Sequence, residues 1–188
     1  MTVRTTRTAA LVGLVTTAVA IVYVLITIVS DADFSWGFLL QAVFHIGELA
    51  VVLAIAGSVA WQAGILGRIG VGVAALAAVL LVIAELVSPF AESLGEQIYD
   101  FAPLVSGLGM VLVGIAVLRS GRWSGWHRFA PLLVGAWLFV VLIPVIIVSG
   151  APPAVPALLA LAGWEVCWAL AALATLAETP DRAPAVAG

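Results

Sequence analysis

The sequence predicts an all-α fold, a polytopic bundle of six transmembrane helices with both chain ends on the cytoplasmic side. Three observations carry that reading. The 188 residues are 64% hydrophobic and only 9% charged, where an ordinary soluble domain carries about 25% charged residues. Apolar runs of spanning length recur six times. All the arginines fall on one side of those runs.

The spans are expected near 8–30, 37–63, 69–88, 101–118, 129–149 and 154–177, each able to cross a hydrocarbon core of about 30 Å at about 1.5 Å per residue. The first begins like a secretory signal, with Arg4 and Arg7 ahead of an apolar stretch from Thr8 to Ser30. That stretch is too long for a signal core of about 7 to 15 residues, so it is expected to remain as a span. Asp31-Ala-Asp33, Gly64 to Gly67, Ser88-Pro89, Ser120-Gly121 and Ser149-Gly-Ala-Pro-Pro153 punctuate the runs. The breaks leave no linker for a second unit, so residues 1–188 are expected to form one transmembrane domain.

Local patterns add detail. Ser88 as N-cap and Pro89 in a first turn predict a short helix on the outer surface between spans three and four. Its Glu92, Glu96 and Asp100 would face water, opposite Phe90, Leu94 and Ile98. Pro144 removes a backbone hydrogen bond and should kink span five. Gly47, Gly57, Gly72, Gly107, Gly109 and Gly114 would let helices approach closely. Spans three and six end on similar Ala-Leu runs, at Glu85 and Glu178, which an inverted duplication or plain alanine–leucine bias would each produce.

Orientation follows from the arginines, because short loops rich in Lys and Arg are retained in the cytoplasm. Arg4 and Arg7 precede span one, Arg68 lies between two and three, Arg119, Arg122 and Arg128 lie between four and five, and Arg182 is in the tail. The opposite side holds Asp31, Asp33, Glu92, Glu96 and Asp100. Trp36, Trp123 and Trp126 sit at span ends, where indole rings settle among headgroups. The basic and aromatic loop from Arg119 to Arg128 suits anionic lipid headgroups.

Composition excludes several chemistries. There is no lysine, which removes Schiff-base cofactors and P-loop phosphate binding. Cys167 is the only cysteine, so no intramolecular disulfide or C-x-x-C motif exists. His127 belongs to the cytoplasmic surface, which leaves no histidine pair for a haem. Ser106-Gly107 in span four is similar to part of the rhomboid protease motif. Leu104-Val105-Ser106-Gly107 lacks the first glycine of Gly-x-Ser-Gly, however, and span six has no histidine to act as base. No enzyme and no cofactor are therefore expected.

The informative residues are polar ones inside the spans: His45, Glu48, Glu85 and Glu165. An acidic residue at a helix centre costs roughly 2.5–3.5 kcal/mol, so such groups turn inward toward partners or water. Glu48 lies 12 residues past Trp36 and Glu165 lies 12 past Pro153, placing both about 18 Å below the outer surface. His45 is a turn nearer the outside, and Glu85, four residues before Pro89, only about 6 Å deep. Gln41, His45 and Glu48 share one helical stripe.

Together they predict a polar cleft open to the outside. Glu85 would stand near the mouth, Gln41 and His45 below it, Glu48 and Glu165 at the floor, with Trp164 and Trp168 as walls. The two deep glutamates are expected to approach each other and share about one proton near neutral pH. His45, Glu48 and Glu165 also contain ligand types that suit divalent metals, with the metal left open.

The segment Gly121-Arg-Trp-Ser-Gly-Trp-His-Arg-Phe-Ala-Pro-Leu-Leu-Val-Gly135, with the apolar run to Pro144, resembles small six-helix membrane proteins encoded in high-GC Gram-positive bacteria, a group without an assigned activity. The resemblance implies a bacterial plasma membrane and no particular mechanism. Six spans in under 200 residues are also similar, in architecture alone, to substrate-binding subunits of energy-coupling-factor transporters. Two functions remain open: a small transporter or sensor binding a proton, cation or small solute, or an accessory or scaffolding subunit. Expected partners are membrane lipids, a small solute or cation, and a second copy or another membrane subunit, with no nucleic acid.

Overall fold

A computed structural model describes residues 1–30 and 35–179. Asp31, Asp33 and Arg182, used above for orientation, lie outside the described residues. Among those described, six helical segments are long and apolar enough to cross a membrane. They are α1 Val3–Ser30, α2 Gly37–Ser58, α3 Ile65–Val87, α4 Glu92–Ser120, a composite fifth span, and α7 Val155–Ala177. The fifth joins α5 Ala130–Trp137 and α6 Ile143–Ser149 through a π-helical stretch, Leu138–Leu142. Pro144 explains the join: its ring nitrogen cannot donate to the carbonyl of Val140, and the wider π turns absorb that missing bond.

Successive helices pack on one another, α5 packs on α7, and α7 returns to α1, which closes a ring. Contact between α2 and α7 braces the ring from within. Their inner faces meet in a core built around Val51, Ile55, Met110, Val134, Leu138 and Trp168. Small residues set the closest approaches. A Cβ on Gly109 would lie 2.6 Å from the backbone nitrogen of Ala74, and one on Gly114 would lie 2.5 Å from the Cα of Leu132. Gly72 contradicts the expectation for the glycines, because open space surrounds it. The outward faces are apolar throughout, with Val15, Leu76, Val140 and Ile147 more than half exposed. Water would penalise such a belt; lipid does not.

Between spans three and four the expected separate surface helix is absent, and that expectation is corrected. Glu92, Glu96 and Asp100 lie on the first turns of α4, which runs unbroken through Pro103 to Ser120. Ser88 caps the end of α3, not the start of α4, and its hydroxyl donates to the carbonyl of Ala84 at 2.7 Å. Gly95 then nests against Ser88. The tight turn leaves no room for an independent element, and Ile98, Ala102, Leu81 and Ala84 form a small second core that roofs this end of α3.

Candidate functional site

The stripe on α2 faces inward as its spacing requires. His45 stands between two carboxylates: its Nδ1 is 2.7 Å from Oε2 of Glu48, one turn along the same helix, and its Nε2 is 3.6 Å from Oε1 of Glu85 on α3. The first distance is a hydrogen bond and the second an ion-pair separation. Glu85 in turn meets the phenol of Tyr99 from α4. Across the bundle, Glu165 on α7 lies within direct electrostatic range of both Glu48 and His45. Contact between α2 and α7 brings the two deep glutamates to one place, as their equal depth suggested.

This cluster is nearly dry. Glu48 is 0%, Glu85 5% and Glu165 8% exposed, while the His45 side chain keeps 15%. Buried polar atoms in native proteins are almost always paired. Here Glu48 Oε1, Glu165 Oε2 and Trp168 Nε1 have no hydrogen-bond partner among the described residues. A histidine held by two carboxylates, with a third alongside, leaves an excess of acidic groups over basic ones in an apolar surround.

A cavity of about 270 Å³ reaches this cluster from the end of the bundle that carries Pro152 and Pro153. Gln41, His45, Trp164 and Glu165 line it, as the sequence predicts. Glu48 sits behind His45 outside the lining. Trp168 is not a wall: it is 0% exposed in the core, its ring centroid 6.1 Å from that of Trp164. Glu85 does not stand at the mouth, and that expectation is corrected. Counting depth from Pro89 assumed a free surface there, whereas the first turns of α4 cover it and bury Glu85 on the far side of His45. The mouth is formed instead by α1, whose Tyr23 and Thr27 line the cavity with Phe44 of α2. Their spacing of four on α1 was the available signal.

The opposite end of the bundle gathers the arginines. Arg122 hydrogen-bonds the side chain of Gln62, Arg128 lies 4.9 Å over the Phe129 ring, and Arg68 lies 5.8 Å over Trp61. Arg7 donates to the carbonyls of Thr179 at 2.7 Å and Leu176 at 3.3 Å, which caps the last turn of α7. Trp126 is 51% exposed, suited to a headgroup layer, but Trp123 is 4% exposed and belongs to the core. Left-handed backbone at Gly121 (φ 62°) and Gly125 (φ 52°) turns the loop back so that Trp123 enters the bundle.

The same loop reaches Glu178, a contact that composition and spacing did not reveal. One carboxylate oxygen accepts from the Ser124 backbone N–H at 2.9 Å, the Ser124 hydroxyl at 3.0 Å and His127 Nδ1 at 2.8 Å. Partial burial works to raise the pKa of Glu178, yet the donors of Ser124 and His127 outweigh it and hold it below the ordinary glutamate value. A depressed folded-state pKa means that this stabilisation is complete above the unfolded value of about 4.3 and fades as pH falls through the folded one. Thermal melts between neutral and strongly acidic pH should therefore lose a component in Glu178→Gln that the parent protein shows below about pH 4.3. Identical acid profiles would remove the clamp from the account.

Among the described residues no group of three or more His, Cys, Asp or Glu side chains is arranged to hold a metal ion. Comparison with known proteins adds no homology: no family model, no curated protein and no solved structure matches this chain.

Proposed function

We propose that the chain is a non-enzymatic, multi-pass membrane protein of a bacterial plasma membrane, a small transporter or sensor whose cavity opens outward and takes up a proton, cation or small solute. One observation carries this reading. A cavity of about 270 Å³ leads to His45 and Glu165, beside buried carboxylate oxygens that have no partner among the described residues. Ionisable groups in a membrane interior mark ion, proton or substrate paths. The one-sided arginines supply the orientation, with the termini and the loop from Arg119 to Arg128 in the cytoplasm. The six-helix proteins of high-GC Gram-positive bacteria supply the choice of membrane.

Within this reading His45, Glu48 and Glu165 form one ionisable cluster at the base of the cavity. Trp164, on the cavity wall, reports its protonation. Tryptophan fluorescence of the purified protein should vary with pH, and Glu48→Gln and Glu165→Gln should each stay folded while flattening that response. A parent protein whose fluorescence ignores pH, or variants that respond like the parent, would refute a proton site at this cluster.

The second reading, an accessory subunit, draws on the paired side of the cluster. His45, Glu48, Glu85 and Tyr99 tie α2, α3 and α4 together by themselves. In that case the glutamate variants would lower stability and leave no ligand or pH response to lose.

A further inference from the structure

We propose that the cavity between α1, α2 and α7 binds a small organic cation, a compact alkylammonium ion, in preference to a metal ion; this deepens the cleft reading above and rests on it. The charge around the cavity is unbalanced toward negative. Glu165 lines the cavity, its buried Oε2 has no hydrogen-bond partner among the described residues, and Glu48 lies outside the lining with its own buried Oε1 unpartnered among them. Among the described residues His45 is the one basic side chain on the lining, and both its nitrogens are directed at Glu48 and Glu85. With no lysine in the chain and every arginine near the ends of the spans, a ligand must bring the compensating positive charge.

The wall of the cavity suits an organic cation. Tyr23, Phe44 and Trp164 bring three aromatic rings to the cavity from three different helices. Aromatic faces attract cations and recognise alkylammonium groups in particular, because such cations are weakly hydrated and fit against ring surfaces. Leu158 and Leu161 extend the apolar part of the lining, which suits a weakly hydrated organic cation better than a strongly hydrated metal ion. The carboxylates that would attract a metal converge on His45 and are not arranged as a ligand set.

The size of the cavity fits as well. About 270 Å³ equals the liquid volume of roughly nine waters, too small for a drug-sized molecule and ample for a compact ammonium ion.

The test uses the purified full chain in lipid nanodiscs and follows tryptophan fluorescence and melting temperature. The probes are tetramethylammonium, choline, the uncharged choline isostere 3,3-dimethylbutan-1-ol, sodium and magnesium. Tetramethylammonium and choline should give saturable changes, and the neutral isostere should bind at least about tenfold more weakly, since a buried carboxylate discriminates by charge. Glu165→Gln should lose the response to both cations. Phe44→Leu, which keeps every carboxylate and a similar apolar volume, should weaken tetramethylammonium by about tenfold while leaving the pH response intact.

Responses to sodium or magnesium without any to the organic cations would overturn the proposal and leave a cation cleft standing. Equal binding of choline and its neutral isostere would also overturn it, leaving a solute cleft. If neither pH nor any probe alters the signal, the cleft reading falls together with the proposal.

Discussion

Replacing Glu48 with leucine should destabilise the bundle by about 3–5 kcal/mol, the usual result of removing one partner from a buried charged pair. Glu48 is 0% exposed and its Oε2 meets His45 Nδ1 at 2.7 Å. Without it the imidazole keeps only the longer contact to Glu85, and a polar ring is left in an apolar interior. Glu48→Gln should lose less, because its amide oxygen still accepts from the ring. The double variant His45→Leu/Glu48→Leu should recover much of the loss, since apolar side chains of similar volume often replace a buried pair without penalty. Chemical denaturation in a fixed detergent measures all three together with the single His45→Leu variant, which completes the cycle. Additive losses in the double variant would show that the pair is not coupled and that the geometry at α2 has been misread.

The second large effect concerns orientation. Changing Arg119, Arg122 and Arg128 together to glutamine should scramble or invert the hairpin of spans four and five, because these residues supply the arginine charge that would retain that loop in the cytoplasm in the proposed orientation. Single replacements should do little. Arg122→Gln would also lose the hydrogen bond to Gln62, and Arg128→Gln the ring contact with Phe129, but neither holds a span in place by itself. Impermeant labelling of cysteines introduced at 95 and 151 should report outside in the parent protein, and at 66 and 122 inside. An external signal at 122 would reverse the topology.

How much of this was legible follows from the range of each signal. Span number and placement come from long apolar runs, which no neighbour can alter, and the helices agree with them to within several residues at most ends. The inward direction of the Gln41, His45 and Glu48 stripe came from helical period, and the electrostatic proximity of Glu48 and Glu165 from equal depth. Errors arose where a local signal was decided by a distant element. Ser88-Pro89 reads as a helix start in isolation, yet Gly95 packing on Ser88 makes it the end of α3. Trp123 reads as an interfacial anchor until two left-handed glycines turn it inward. Glu178 meets Ser124 and His127 across more than 50 residues of chain, and no spacing rule reaches that far.

In the proposed function a cleft opens on the outer face and descends past α1 and α2 to His45 and Glu165. Its most direct measurement is the accessibility of a cysteine introduced in place of Gln41, on the cavity wall. The native Cys167 is 3% exposed and adds little background. An impermeant maleimide should label Gln41→Cys in intact cells and fail to label it from the cytoplasmic side of inside-out vesicles. Labelling from the cytoplasmic side, or none from either side in a folded protein, would contradict the outward cleft.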